Sequence, residues 1–210
     1  MTQPIAGQET PSLSSLGISH EDRQRADLYN FLGLLLAGPP DQMLLEQITG
    51  LSGDDSDLGQ AIRALSRVSK VVKPKAAVSE YNALFIGLGR GELLPFASYY
   101  LTGFLNEKPL AALRRDMAAK GLARSETVFE PEDNIASLME MMGAMIVGRF
   151  GVLVPLAEQK DFFNKHIGPW AEHFFTDLEG AKTSILYAPV GSVGRAFMHI
   201  EADAFRMSAE

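Results

Sequence analysis

No cysteine occurs among the 210 residues. Disulfide staples, thiolate zinc sites, iron–sulfur ligation and cysteine nucleophiles are therefore excluded, and a reducing cytoplasm is the expected compartment. Long apolar runs are missing too. The greasiest stretch, Leu28 to Ala37, contains Asn30 and Gly33 and falls short of the ~20 apolar residues that span a bilayer, so it predicts a buried helix and no stable membrane insertion. Basic charge is scarce: 19 Lys and Arg against 26 Asp and Glu leave a net charge of −7, which disfavours a nucleic-acid partner, since such binding draws on clustered cations. No stretch alternates with period two, so no strand is expected. Met1 to Gly17 carry neither a basic segment nor a continuous apolar one, which marks residues 1–17 as a flexible leader rather than a secretory signal.

Hydrophobic residues make up 46% of the chain, enough for one sizeable core, and the pattern from 18 to 210 is helical. Ser19 and Asp22 resemble a cap ahead of Leu28, Phe31, Leu32 and Leu35, with Gly38-Pro39-Pro40 as the stop. Asp41 caps a second helix reaching about Thr49, and Asp54 to Asp57 precede a third with Ile62, Leu65 and Val68 on its face. A fourth starts near Pro74 and shows Val78, Tyr81, Leu84, Phe85 and Leu88 before Gly87-Leu88-Gly89-Arg90-Gly91 breaks it. That glycine loop follows a helix and lacks a Gly-Lys-Ser/Thr ending, so it reads as a connector and not a phosphate cradle.

Pro109 to Lys120 with Gly121 form another helix, in which Arg114-Arg115 are exposed surface. Phe163, His166, Ile167, Trp170 and Phe174 share a face across Gly168-Pro169, and Val193, Phe197, Ile200, Ala204 and Met207 mark a last helix from about Val190. The expected fold is all-α, one multi-helix domain of roughly eight to ten helices.

Catalytic patterns are absent. His20, His166, His173 and His199 are scattered without metal-ligand spacing, and no Gly-x-Ser-x-Gly elbow occurs. Glu130, Glu132 and Asp133 could hold a hard cation, but Pro131 pins them into a helix start rather than a ligand loop. No metal, cofactor or catalytic residue is assigned.

The segment Glu130-Pro131-Glu132-Asp133-Asn134 opens into Ile135, Leu138, Met139, Met142, Met145 and Ile146. Pro131 suits the first helical position, and Glu132 and Asp133 the positive end of the helix dipole. Negative charge then stands beside an adaptable apolar stripe, as a binder of cationic amphipathic peptides requires; a Met-bearing face that docks a partner helix, in an interaction or regulatory domain, is the alternative.

Three blocks in order, Tyr81-Asn82-Ala83-Leu84-Phe85-Ile86-Gly87, Pro95-Phe96-Ala97-Ser98-Tyr99-Tyr100-Leu101 and Glu130-Pro131-Glu132-Asp133-Asn134, make the chain resemble the TorD/DmsD family of cytoplasmic chaperones for molybdenum-containing redox enzymes. The third block is similar to the family's Glu-Pro-x-Asp-His, with Asn134 where histidine is usual, which keeps a hydrogen-bonding side chain and removes a titratable one. The resemblance implies an all-helical protein without catalysis, binding the twin-arginine leader of the apo form of a molybdopterin-dependent oxidoreductase and holding it back from export until its cofactor is inserted. On that footing the peptide site includes Pro131 and Asn134, and Glu130, Glu132 and Asp133 are expected to attract the leader's arginines. Leu84, Phe85, Pro95, Phe96 and Tyr99 then border its apolar part, and Ser98 is a contact or a helix cap.

Overall fold

Helix starts in this chain follow local capping chemistry. In the computed structural model, which describes residues 17–121, 130–149, 151 and 153–208, helix α1 (His20–Ala37) begins where Ser19 Oγ accepts the Asp22 N–H at 3.0 Å. Asp41 caps α2 (Gln42–Thr49) through the Leu44 N–H at 2.8 Å, and Ser56 caps α3 (Asp57–Ser69) through the Gly59 N–H at 3.1 Å. These starts agree with the sequence reading. Pro74 opens α4 (Pro74–Tyr81), which passes into a π-helical turn, Asn82–Ile86, before α5 (Ala97–Thr102) and α6 (Lys108–Ala119).

The second half holds α7 (Ile135–Val147), α8 (Leu156–Phe162), a second π-helical turn (Phe163–Ile167), α9 (Ala171–Gly180) and α10 (Tyr187–Met207). Among the described residues there are ten α-helices, and the extended pairing is confined to a single bridge between Phe96 and Asn134. The all-α expectation holds. The leader assigned to residues 1–17 lies outside the described residues except for Gly17.

The centre of the molecule is α7, packed along α1, while α10 packs on α9 and α3. Ile135, Leu138, Met139, Met142, Met145 and Ile146 are all buried. A helix apolar on nearly every side has to be interior, so the Met-bearing face is core and offers no docking surface. Between α9 and α10 the backbones come close: a Cβ on Gly194 would stand 2.2 Å from the Phe175 ring and one on Gly191 2.6 Å from the Glu179 nitrogen.

Two expected faces are displaced. Val78 and Leu88, placed on the apolar face of the fourth helix by spacing, are 41% and 108% exposed. Leu88 lies beyond the end of the helix, past the π-helical turn that stops at Ile86 and the left-handed Gly87 at φ 61°, while Val78 turns outward within α4 and Tyr81 and Leu84 hold the inner face. On α10, which starts at Tyr187 rather than Val190, Ile200, Ala204 and Met207 face solvent while Glu201 and Phe205 point in.

Glu201 takes an inward place because its partners are there. Arg25 donates to its two oxygens from Nε at 2.8 Å and Nη2 at 2.9 Å, and the buried Tyr29 hydroxyl donates at 2.9 Å. Glu201→Ala is expected to cost about 2 kcal/mol in urea denaturation: it strands Tyr29, but Arg25 keeps Asp22 and Gln159.

Candidate functional site

The three sequence blocks converge. Leu93 and Glu92 donate their N–H groups to the Leu84 and Ala83 carbonyls at 2.8 and 3.1 Å, tying the approach to the second block onto the first. The second and third blocks form the bridge, with Ala97 N–H donating to the Asp133 carbonyl and Ile135 N–H to the Pro95 carbonyl, both at 2.9 Å. Glu130 lies near enough to Tyr81 for its charge to matter: burial first, and then that carboxylate, push the phenol up to about 12.

The acidic block is arranged otherwise than its sequence suggests. Pro131 is not the first helical residue, because α7 starts at Ile135 with Asn134 as N-cap. Asn134 Oδ1 accepts the Ala136 N–H at 2.9 Å, while its Nδ2 donates to Glu130 at 2.8 Å. Glu130 to Asp133 form the preceding turn, closed by the Asn134 N–H on the Pro131 carbonyl. Glu132 and Asp133 therefore do not serve the dipole of α7.

Asp133 serves α5 instead. That helix has Phe96 at its N-cap, without a side-chain bond of its own. One carboxylate oxygen of Asp133 accepts the Ser98 N–H at 2.8 Å and the Ser98 hydroxyl, so the cap comes from a distant part of the chain. Ser98 is thus neither cap nor surface contact; it is fully buried and receives the cap. The other Asp133 oxygen has no hydrogen-bond partner, and Asp133 lines a cavity of about 10 Å³ with Leu113, Lys165 and His166. Glu132, also buried, accepts from Arg114 Nε at 2.9 Å and Nη2 at 2.8 Å. Half of the expected twin-arginine surface of α6 is thereby engaged, and the acidic rim shrinks to the exposed Glu130.

On the apolar side Leu84 and Pro95 are buried, whereas Phe85, Phe96, Tyr99 and Pro131 are half-buried. Phe85 stands edge-on to Tyr81 and Tyr187, with centroids at 5.0 and 5.5 Å. Arg90 places its guanidinium 5.1 Å from the Tyr99 ring and donates to its hydroxyl at 2.7 Å. Ile86, at the end of the π-helical turn, and Leu88, on the connector that follows, are exposed. Arg90, Ile86 and Leu88 were not among the expected site residues; an apolar residue between two glycines was the available signal. Among the described residues no group of three or more His, Asp or Glu side chains could hold a metal ion.

Behind the small cavity, His166 Nε2 lies 2.8 Å from Asp116. Burial lowers the His166 pKa, outweighing Asp116's charge, and the His166 hydrogen bond leads in lowering that of Asp116. For both groups the unfolded chain takes up protons more readily, so their stabilisation is present above the free values and lost as pH falls. Thermal melts are expected to drop first below pH ~6.5, where free histidine protonates, and that first step should be missing in His166→Gln.

Known proteins place this architecture. A solved structure described as a putative redox enzyme maturation protein from Archaeoglobus fulgidus superposes with a TM-score of 0.53 at 20% identity, covering 86% of this chain and 95% of that one, and shares the fold. The chaperone protein TorD of Vibrio atlanticus is 27% identical over 86% of this chain and 94% of its own length. That of Vibrio cholerae is 24% identical over 72% and 74%. No helix of the described residues is long and apolar enough to cross a membrane. The family model for the nitrate reductase delta subunit matches residues 52–176; with more than half its length matched, the chain belongs to that family, in its TorD/DmsD branch of chaperones.

Proposed function

We propose that this chaperone acts in the cytoplasm on the apo form of a molybdopterin-dependent oxidoreductase, binding its twin-arginine leader and delaying export until the cofactor is in place. The observation that supports this is the convergence of the three blocks, whose backbone pairing ties the segments carrying the half-buried rings of Phe85, Phe96 and Tyr99 to the turn that carries the half-buried Pro131 and one exposed carboxylate, Glu130. A leader joins basic residues to an apolar stretch. Rings with exposed edges take the second and a solvated carboxylate the first, with moderate affinity because the peptide has to be ordered on binding.

In this reading Leu84, Pro95, Ser98, Asp133 and Asn134 shape the site from behind, and Glu132 acts through its pair with Arg114. Calorimetric titration with a synthetic twin-arginine leader tests it. Binding should be measurable and weaken as salt rises; absence of heat at any temperature would overturn the proposal. Glu130→Gln should weaken the complex about threefold, the size of one exposed ion pair, and Tyr99→Ala by more.

A further inference from the structure

We infer that the groove between α6 and α8 is a second docking surface for the client's leader, seating its basic residues on a carboxylate rim and the start of its apolar stretch on the floor. The groove is a cavity of about 440 Å³, and Asp116, Lys120, Glu158 and Asp161 stand on its rim. Its apolar lining is formed by the partly exposed Leu153 and Val154 and the exposed Pro155, with Met145 and Phe162 buried beneath them. Over Leu153 and Val154 it continues into a second hollow of about 200 Å³ that reaches Asp22, giving a track whose length suits an extended peptide better than a compact ligand.

Charge complementarity selects the occupant. Among the described residues three carboxylates face two ammonium groups: Lys120 bridges to Glu158, and Lys165 lies 2.8 Å from Asp161 and 3.7 Å from Asp116. His166, which also contacts Asp116, has its pKa lowered by burial. One negative charge is left over, and an exposed lysine bridge across a groove is readily exchanged for an incoming arginine, which forms the better forked pair with a carboxylate. Glu130 alone supplies little charge for a leader with two arginines, since Glu132 is held by Arg114 and Asp133 is buried.

This rests on the leader-binding reading above, and the test separates the two. A fluorescently labelled synthetic twin-arginine leader is titrated by anisotropy against the full chain and its variants, each checked by circular dichroism. Glu158→Gln with Asp161→Asn should lower affinity about tenfold, the sum of two exposed pairs. Lys120→Met, which frees Glu158 for the peptide, should raise it about threefold. Leu153→Arg, which places a fixed cation on the track, should weaken binding, while Glu130→Gln acts independently of all three. A leader that binds wild type and is indifferent to Lys120→Met and to the double variant overturns the groove and leaves the leader-binding reading standing. A wild type that binds no leader overturns both. Should Leu153→Arg fail to fold, Lys120→Met decides, since that side chain is on the surface.

Discussion

Asp133→Ala is expected to lose about 3 kcal/mol of stability in urea denaturation, whereas Asp133→Asn should lose less than about 1 kcal/mol. The alanine variant leaves the buried Ser98 N–H and hydroxyl without their acceptor and withdraws a carboxylate from the positive end of α5. Hydrogen bonds to a charged group are worth about 1.5–3 kcal/mol each, and the unpartnered second oxygen of Asp133 returns some of that on removal. Asparagine keeps one acceptor where Ser98 needs it and sets an amide in place of the orphan oxygen.

The pair of variants also separates two meanings of the acidic block. If the charge of Asp133 itself holds a leader's arginine, Asp133→Asn abolishes binding in a folded protein. With Asp133 as the cap of α5, the asparagine variant binds like wild type, and the alanine variant binds poorly only because Phe96 and Tyr99 lose their positions. Leader titration together with the denaturation curve distinguishes these outcomes, and the geometry predicts the second.

Glu80→Ala should be at least as damaging, at about 3–5 kcal/mol. The longest helix of the described residues, α10, starts without a side-chain cap at Leu186. Its first amides are met from α4, where Glu80 accepts the N–H groups of Ile185 at 2.7 Å, Leu186 at 3.1 Å and Tyr187 at 2.8 Å. Glu80 is 9% exposed and its bonds to Leu186 and Tyr187 are buried, so its removal leaves two donors with little access to water, each costing about 1–3 kcal/mol, besides the part-buried one of Ile185. Glu80→Gln keeps one acceptor oxygen and should lose about half as much. Hydrogen exchange at Ile185 to Tyr187 reports the site directly, and unchanged protection in the alanine variant would remove the cap.

These two carboxylates show where reading the chain succeeds and where it stops. Ser19, Asp41 and Ser56 cap helices that begin at the next residue, and such short-range bonds are written in adjacent positions. Glu80 and Asp133 perform the same chemistry for helices far along the chain, and nothing in their local sequence distinguishes them from solvated charges. The acidic block is the instructive case: Pro131 and Asn134 are both acceptable near a helix start, and only the pairing of Phe96 with Asn134 decides that the helix begins after the asparagine. The same pairing turns Asp133 away from solvent and brings Arg114 onto Glu132, so the predicted rim of three acids becomes one. The two π-helical turns are not written in the sequence for a related reason, since a single wide turn leaves no periodic trace.

Composition and periodicity were sufficient for the helical class and the cap-defined starts of α1, α2 and α3, because each depends on contacts within a few residues or on the cost of exposing apolar surface. The three blocks carried the family in the same way. Which carboxylates meet water, which rings keep an exposed edge, and that α6 and α8 enclose an acid-rimmed groove were decided by the tertiary structure alone. Burial and charge pairing arise between segments remote in sequence, and a side chain's chemistry acquires its role only from the neighbours that the fold brings to it.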